Sequence, residues 1–209
     1  MSRDRDIVEA FSRVTTATFT TLLLKKGLRN VWMRGTRPLN PGQPRLVGKA
    51  FTLRFVPARE DLATPESWSK PISTRSAIEA MPEGCIAVAD ARGVTDGVLR
   101  DVAGVRATGL PVWCQGAAAP PSVAGLTFVG WGEPIGCGGV AVFPDDWVVV
   151  DDDGAVLIPA AYVDELLVTA PEQEALEGWI MGEVEKGAAL PGLYPPNAEN
   201  LARYKKTKA

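Results

Sequence analysis

Two adjacent side chains, Arg100 and Asp101, are the residues of this sequence best suited to chemistry on a small anion. An arginine guanidinium is a planar fork that matches a carboxylate, and one aspartate oxygen can hold a hydrated Mg²⁺ or Mn²⁺. The pair is therefore a candidate site for a 2-oxo acid and a divalent metal. Adjacent arginine and aspartate residues on a helix are also common as solvated surface side chains, and the dipeptide alone leaves that alternative open.

A short helix is predicted to position this pair. Asp96-Gly97 is typical of a turn or a helix N-cap, the run from Val98 to Thr108 follows it, and Gly109 would end the helix. Arg100 and Asp101 would then lie in the first turns, where the N–H groups of a helix terminus favour anions. A substrate carboxylate would bind there.

The composition limits both the fold and the mechanism. With 209 residues, of which 46% are hydrophobic and 22% charged, the chain suits one domain with a sizeable core. The net charge of −3 argues against nucleic-acid binding, which needs a basic surface. Because the sequence contains no histidine, serine–histidine and cysteine–histidine catalysis are excluded, and acid–base work falls to carboxylates, Lys, Tyr or metal-bound water.

Cysteine spacing and apolar runs indicate the compartment. Cys85, Cys114 and Cys137 stand far apart, which argues against a zinc site, a redox pair or a disulfide framework. The charged start of the chain is unlike a secretory signal, and the apolar runs are shorter than a membrane span. We expect a cytoplasmic protein that does not contact membranes.

Hydrophobic periodicity predicts alternating strands and helices, with helices near both ends. The predicted elements are a helix over 5–26 with a break near 12–17, a strand over 46–56, a helix over 73–81, a strand over 85–89, a strand over 110–114, a hairpin of 147–151 with 154–159, and a helix over 160–186 interrupted near Pro171.

Two conspicuous local patterns are interpreted as turns. The run Pro134–Val140 is glycine-rich, but it lacks the spacing of a phosphate-binding loop, so a tight bend or close backbone packing is expected. The run Asp151-Asp152-Asp153 lacks the ligand spacing of a calcium loop and precedes Gly154. Turn chemistry is therefore favoured over a metal cluster.

The segment Gly97-Val98-Leu99-Arg100-Asp101, followed by Gly109-Leu110-Pro111-Val112, resembles the G-x-x-R-D and G-x-P-V signature of the RraA-like family. The runs Pro134–Val140 and Phe143–Pro159 also resemble family patterns, with Asp145 in place of a glycine. Aspartate tolerates positive φ better than most residues, so that turn can form. The resemblance implies an α/β fold of the swivelling β/β/α type, with a mixed sheet wrapped by helices.

The resemblance also implies a domain organisation and an assembly. One RraA-like domain would cover 1–209, with a helical N-terminus over 1–30 and an extended C-terminal arm over 188–209 that lies across a partner subunit. The protein would form a homotrimer or hexamer.

The family includes class II pyruvate aldolases that act on 4-hydroxy-4-methyl-2-oxoglutarate, and regulators of ribonuclease activity. By resemblance, this chain would be a metal-dependent lyase that gives pyruvate from a 2-oxo acid by retro-aldol cleavage or decarboxylation. Asp101 would hold Mg²⁺ or Mn²⁺, Arg100 would bind the substrate and stabilise the pyruvate enolate, and a metal-bound water would be the base. The alternative is a non-catalytic regulator that binds a partner protein such as a ribonuclease.

One departure from the family falls after Asp90. There the family has a Gly-Glu or Gly-Asp loop, whose amides contact the pyruvate carboxylate, and a helix; this sequence runs from Ala87–Thr95 directly into Asp96–Asp101. Residues 90–93 are also too few for an ordinary crossover of about a dozen residues, which argues against 86–89 and 94–95 as parallel neighbours. The motif favours the enzyme, and the gap favours the regulator.

Overall fold

A nine-stranded mixed sheet forms the centre of the protein, whose residues 3–90 and 94–208 are described by a computed structural model. The strands are β1 (Trp32–Met33), β2 (Arg37–Pro38), β3 (Leu46–Pro57), β4 (Ile86–Ala89), β5 (Val94–Thr95), β6 (Val98–Leu99), β7 (Trp113–Cys114), β8 (Gly116–Ala117), β9 (Leu126–Trp131), β10 (Ile135–Cys137), β11 (Val140–Val142), β12 (Trp147–Asp151) and β13 (Gly154–Ile158). The order in the large sheet is β1-β13-β12-β3-β4-β5-β7-β2, with β9 also paired to β3. β6–β8 and β10–β11 form separate pairs.

Helices cover this sheet, which confirms the predicted α/β class. They are α1 (Arg3–Phe11), α2 (Thr16–Lys25), α3 (Thr74–Glu79), α4 (Val102–Ala107), α5 (Val163–Glu185) and α6 (Ala198–Lys206). The predicted break near 12–17 is confirmed, because Thr15 caps a new helix by accepting a hydrogen bond from Thr18 N–H. None of the helices in the described ranges is long and apolar enough to cross a membrane.

The hairpin β12–β13 joins the two main hydrophobic cores. Every residue of both strands is buried. On one face, Val149 and Val156 pack with residues of α1, α2 and α5, whereas on the other face Val148 and Leu157 pack with Trp113 and its neighbours. The hairpin predicted from the sequence is confirmed, and its burial on both faces explains its nearly continuous apolar sequence.

The aspartates beside this hairpin serve the turn and a helix end. The Asp151 carboxylate accepts hydrogen bonds from Thr16 N–H at 2.9 Å, from the Thr16 hydroxyl at 2.7 Å and from Asp153 N–H at 3.0 Å. It also lies 3.6 Å from Arg45 Nε. The acidic run therefore attaches the start of α2 to the hairpin, as the prediction of turn chemistry requires.

β4 and β5 are parallel neighbours, contrary to the argument from chain length. Their contact consists of two residue pairs, Val88 with Val94 and Ala89 with Thr95. Because β5 is only two residues long, this strand pair does not need the connection of about a dozen residues that an ordinary crossover requires. Residues 91–93 beside the predicted gap lie outside the described residues, as do the domain ends 1, 2 and 209.

The C-terminal region differs from its prediction in two places. α5 continues through Pro171, because buried Leu166, Ala170 and Ile180 anchor the helix on both sides of the proline and offset its cost of about 3 kcal/mol. The predicted extended arm over 188–209 is wrong at α6, which packs back on α5 with buried Tyr204 5.7 Å from the Trp179 ring.

Candidate functional site

Arg100 and Asp101 lie between a short strand and a helix. Val98 and Leu99 form β6, which pairs with β8 in parallel, and α4 begins only at Val102. The predicted helix over 98–108 is therefore wrong in its first turn, because pairing with a distant segment draws Val98 and Leu99 into a strand. Asp101 occupies the N-cap position of α4 in the left-handed conformation, with φ 58° and ψ 39°.

The preceding turn is fixed from three sides. Gly97 N–H donates to the Thr95 hydroxyl at 2.8 Å, and Gly97 C=O accepts from Gln115 N–H at 2.9 Å. The Asp96 carboxylate accepts from Gly138 N–H at 2.9 Å. The prediction that Asp96-Gly97 forms a turn is thus confirmed. The alternative prediction, that it caps a helix, is wrong because Asp101 occupies the N-cap position of α4.

The structure places the two predicted site residues side by side at the surface. Arg100 Nε lies 3.4 Å from Asp101 Oδ1, and the two side chains are 39% and 75% exposed. Within the described residues, the Asp101 carboxylate makes no capping hydrogen bond to α4. Its oxygens are thus available to a ligand, and the neighbouring guanidinium supplies a positive charge for a carboxylate.

A cleft of about 480 Å³ opens beside this segment. Asp90, Asp96 and Val98 line one side, and residues 118–126 contribute the other. In β6, Val98 is 44% exposed and Leu99 only 8%, so the strand turns Val98 outward. Arg100 lies two residues after Val98, just past the end of β6, so the Arg100–Asp101 pair directly follows a strand that helps to line the cleft.

Asp90 and Asp96 were not identified as site residues from the sequence. The Asp90 carboxylate accepts Phe55 N–H at 2.5 Å. Burial and the nearby negative charge of Asp96 raise the pKa of Asp90, against the opposing effects of Phe55 N–H and Arg54. The signal that could have found both is their position: each follows a short apolar strand at its carboxyl end, where α/β sheets commonly bind ligands.

The oxygen donors near Asp101 fit only a weakly bound metal ion that keeps most of its water ligands. Across 3–90 and 94–208, no group of three or more Asp, Glu, Cys or His residues could hold a metal. Mg²⁺ often binds proteins through one or two carboxylates and keeps several waters, so a single open carboxylate is compatible with it. Asp101 is the residue that would hold such an ion.

Comparisons with known proteins include a family match to this region of the chain. Residues 93–157 match the family described as RraA-like (Aldolase/RraA). Over 85 residues the chain is 34% identical to the "Putative 4-hydroxy-4-methyl-2-oxoglutarate aldolase" of Halalkalibacterium halodurans, covering 39% of each protein. It is 24% identical over 177 residues to Protein DlpA of Legionella pneumophila, covering 74% of this chain and 28% of that protein. The chain thus spans well under half of either relative's length.

Solved structures share the fold. The crystal structure of Streptomyces coelicolor RraAS2, described as an unusual member of the RNase ES inhibitor RraA protein family, is 29% identical with a TM-score of 0.72, over 86% of this chain and 97% of that one. An uncharacterized protein from Pseudomonas syringae pv. tomato is 20% identical with a TM-score of 0.76, over 94% and 96% of the two chains. The first likeness supports the predicted fold type, and the second concerns the fold alone.

Proposed function

We propose that this chain, whose residues 93–157 match the RraA-like family, is a divalent-metal-dependent lyase that converts a 2-oxo acid into pyruvate by retro-aldol cleavage or decarboxylation. The observation that carries the proposal is the exposed Arg100–Asp101 pair, with 3.4 Å between Nε and Oδ1, which directly follows the strand whose Val98 lines a cleft. The name of the 34% identical relative supports the same reaction class.

The backbone at Asp101 gives independent support. A left-handed conformation costs a non-glycine residue roughly 1–2 kcal/mol, and such outliers often mark functional sites. Asp101 adopts this conformation although, among the described residues, its carboxylate makes no capping hydrogen bond that would offset the cost. The conformation instead presents the carboxylate beside the Arg100 guanidinium.

In this proposal the two side chains have separate tasks. Arg100 binds the substrate carboxylate or 2-oxo oxygen and stabilises the negative charge that develops as the carbon–carbon bond breaks. Asp101 would hold the metal through one carboxylate oxygen. A bound divalent ion supplies Lewis acidity at the 2-oxo group. Arg100 also orients the substrate, since a guanidinium can form two parallel hydrogen bonds to a carboxylate.

The test is pyruvate release from 4-hydroxy-4-methyl-2-oxoglutarate and from oxaloacetate, with Mg²⁺ or Mn²⁺ and with a chelator. We expect metal-dependent turnover, and a loss of roughly 10²–10³-fold in kcat in Arg100→Ala because one such donor is removed. Asp101→Ala should lose metal-dependent turnover to a similar extent. The matched controls are Arg59→Ala and Asp61→Ala, which break an exposed ion pair elsewhere, with 2.6 Å between Nη2 and Oδ2, and should leave turnover unchanged.

The outcomes separate the enzyme from the regulator. Equal loss in the control variants would show that the effect is not specific to the site. If folded, metal-loaded protein turns over neither substrate, the lyase proposal is contradicted for them, and protein binding without catalysis, as in the ribonuclease regulators, becomes the better explanation.

We also propose that the protein assembles as a homotrimer or hexamer. Apolar side chains near the site support a subunit contact there, since Val98 is 44% and Leu110 64% exposed. Sedimentation analysis of the wild type and of Leu110→Glu would test this. We expect a trimeric or hexameric mass that falls in the variant, whereas a monomeric wild type would contradict the proposal.

A further inference from the structure

Two carboxylates meet at one edge of the sheet, beside the cleft. Asp90 directly follows β4 and Asp96 directly follows β5. Because Ala89 and Thr95 are paired in these parallel strands, the two aspartates lie next to each other in register. Both line the cleft of about 480 Å³ together with Val98.

Asp96 and Asp90 are held differently. The Asp96 carboxylate accepts a hydrogen bond from Gly138 N–H, which ties the turn before β6 to the β10–β11 hairpin. Asp90 is half-buried, and it accepts Phe55 N–H from β3. Asp96 is therefore engaged in holding the site together, while Asp90 is fixed in position and still lines the cleft.

The surroundings of Asp90 favour its protonated form. Burial is the largest cause that raises its pKa, and the charge of Asp96 adds to it. Phe55 N–H and the Arg54 guanidinium act in the opposite direction without reversing the shift. Among the described residues, Cys137 is a further titratable neighbour, a thiol whose pKa is raised to about 12 and which is uncharged at neutral pH. A carboxyl group with a raised pKa is better matched to proton transfer near neutral pH than an ordinary aspartate.

We infer that Asp90, rather than the metal-bound water expected from the family resemblance, is the acid–base group of the lyase site, an inference that rests on the proposed function. In retro-aldol cleavage, the Asp90 carboxylate takes the proton of the substrate's 4-hydroxyl as the C3–C4 bond breaks. The bonding electron pair passes into the pyruvate enolate, which Arg100 stabilises, and the other fragment leaves as a carbonyl compound. The protonated Asp90 then returns the proton to C3, which gives pyruvate and restores the carboxylate.

The same residue completes the decarboxylation of oxaloacetate. There carbon dioxide leaves with cleavage of the C3–C4 bond, and the enolate receives its C3 proton from the Asp90 carboxyl group. Water then reprotonates the Asp90 carboxylate before the next turnover. The placement fits this role because Asp90 and Val98 line one cleft, and the Arg100–Asp101 pair begins two residues after Val98. In this proposal, the acid–base group lies in the cleft and the enolate-stabilising group follows the strand that borders it.

The experiment compares the wild type with Asp90→Asn, which keeps the shape and can still accept Phe55 N–H. Three readouts are the pH profile of kcat/KM for 4-hydroxy-4-methyl-2-oxoglutarate, exchange of pyruvate methyl protons with D₂O by NMR, and calorimetric binding of oxalate, an enolate analogue, in the presence of Mg²⁺. We expect Asp90→Asn to lose about 10²–10⁴-fold in kcat and to lose the exchange. Oxalate affinity should change less than about threefold, because Arg100 and Asp101 remain.

The pH profile distinguishes catalysis from a structural role. A base must be deprotonated, so kcat/KM of the wild type should fall as the pH is lowered through the raised pKa of Asp90. The residual activity of Asp90→Asn should lack that fall. Asp90→Glu, which restores a carboxyl group one methylene further out, should recover part of the activity and the pH dependence. Asp61→Asn is the control and should match the wild type.

The outcomes distinguish the assignment of Asp90 as the acid–base group from the proposal that the protein is a lyase. An unchanged pH profile with retained methyl exchange in Asp90→Asn overturns the assignment of Asp90 and leaves the lyase proposal standing. A wild type that neither forms pyruvate nor binds oxalate with Mg²⁺ overturns both. If Asp90→Asn fails to fold, as judged by circular dichroism, Asp90→Glu decides: a wild-type pH profile shifted with the new carboxyl group supports the inference, and an unshifted profile overturns it.

Discussion

The β12–β13 hairpin and the segment β6–α4 differ sharply in packing. All five residues of each hairpin strand are buried, whereas every residue of α4 is exposed or half-buried. Each region has an aspartate beside the start of a helix. Asp151 is 9% exposed and bonded to the start of α2, while the Asp101 side chain is 75% exposed and contacts Arg100.

The difference shows that the same residue type can serve two purposes, and that its surroundings decide which. Asp151 satisfies buried backbone and hydroxyl donors, which would be costly to leave without partners. Asp101 lies where few contacts constrain it, so its carboxylate remains available to a ligand. Stability should therefore depend on the hairpin, and function on the loosely packed segment.

The largest expected effect follows from truncating the core of the hairpin. Ile158→Ala should lower the free energy of unfolding by about 2–5 kcal/mol, because Ile158 is fully buried and the truncation leaves a cavity. Val105→Ala, at a half-buried position of α4, should change the free energy of unfolding by less than about 1 kcal/mol. Urea unfolding measures both. Equal losses would show that α4 is packed as tightly as the hairpin.

The two aspartates give the next comparison. Asp151→Ala should lower the free energy of unfolding by about 2–4 kcal/mol. The Thr16 N–H and hydroxyl would each lose a buried acceptor, at roughly 1–3 kcal/mol per donor. Asp101→Asn should stay within about 0.5 kcal/mol of the wild-type free energy of unfolding, because asparagine also tolerates the left-handed backbone, while losing turnover. Thermal unfolding combined with the pyruvate assay separates these effects. A variant at Asp101 that unfolds easily would argue for a structural role instead.

The parts of the fold that were predicted correctly depend on local sequence signals. The hairpin, the break before α2 and the strand over 46–56 follow from periodicity and turn residues within a few positions. The bend at Gly138-Gly139 is confirmed, with φ values of 57° and 78°, and Asp145 adopts the positive φ of 72° that the family likeness suggested. Such features are decided by residues that are neighbours in the chain.

The parts that were missed depend on contacts between distant residues. Val98 and Leu99 become a strand because they pair with Gly116 and Ala117, which periodicity near Val98 does not reveal. The position of Asp90 beside Asp96 follows from the order of strands in the sheet. The motif therefore led to the Arg100–Asp101 pair as the candidate site, whereas the nearby cleft is visible only in the three-dimensional fold.

The bend at Gly138 provides a further test of tight packing. A Cβ at this position would clash with the Arg34 backbone nitrogen, and the backbone is left-handed there. Gly138→Ala should therefore cost about 2 kcal/mol or more, beyond the roughly 1–2 kcal/mol of the conformation alone. Gly132→Ala is the control, because its φ of 73° is similar and its Cβ would meet open space. Matching losses in urea unfolding would mean that the contact with Arg34 relaxes without cost.

The smallest expected effect has the opposite sign and tests the loose packing of α4. A Cβ on Gly104 would meet nothing within 4 Å, and alanine is favoured over glycine inside a helix by about 0.5–1 kcal/mol. Gly104→Ala should therefore stabilise the protein by up to about 1 kcal/mol, with unchanged pyruvate formation and unchanged mass in sedimentation. Destabilisation would contradict the packing described for α4. A stable variant with altered mass would instead place Gly104 in a contact between subunits, because the added methyl group has room within one chain but not against a second.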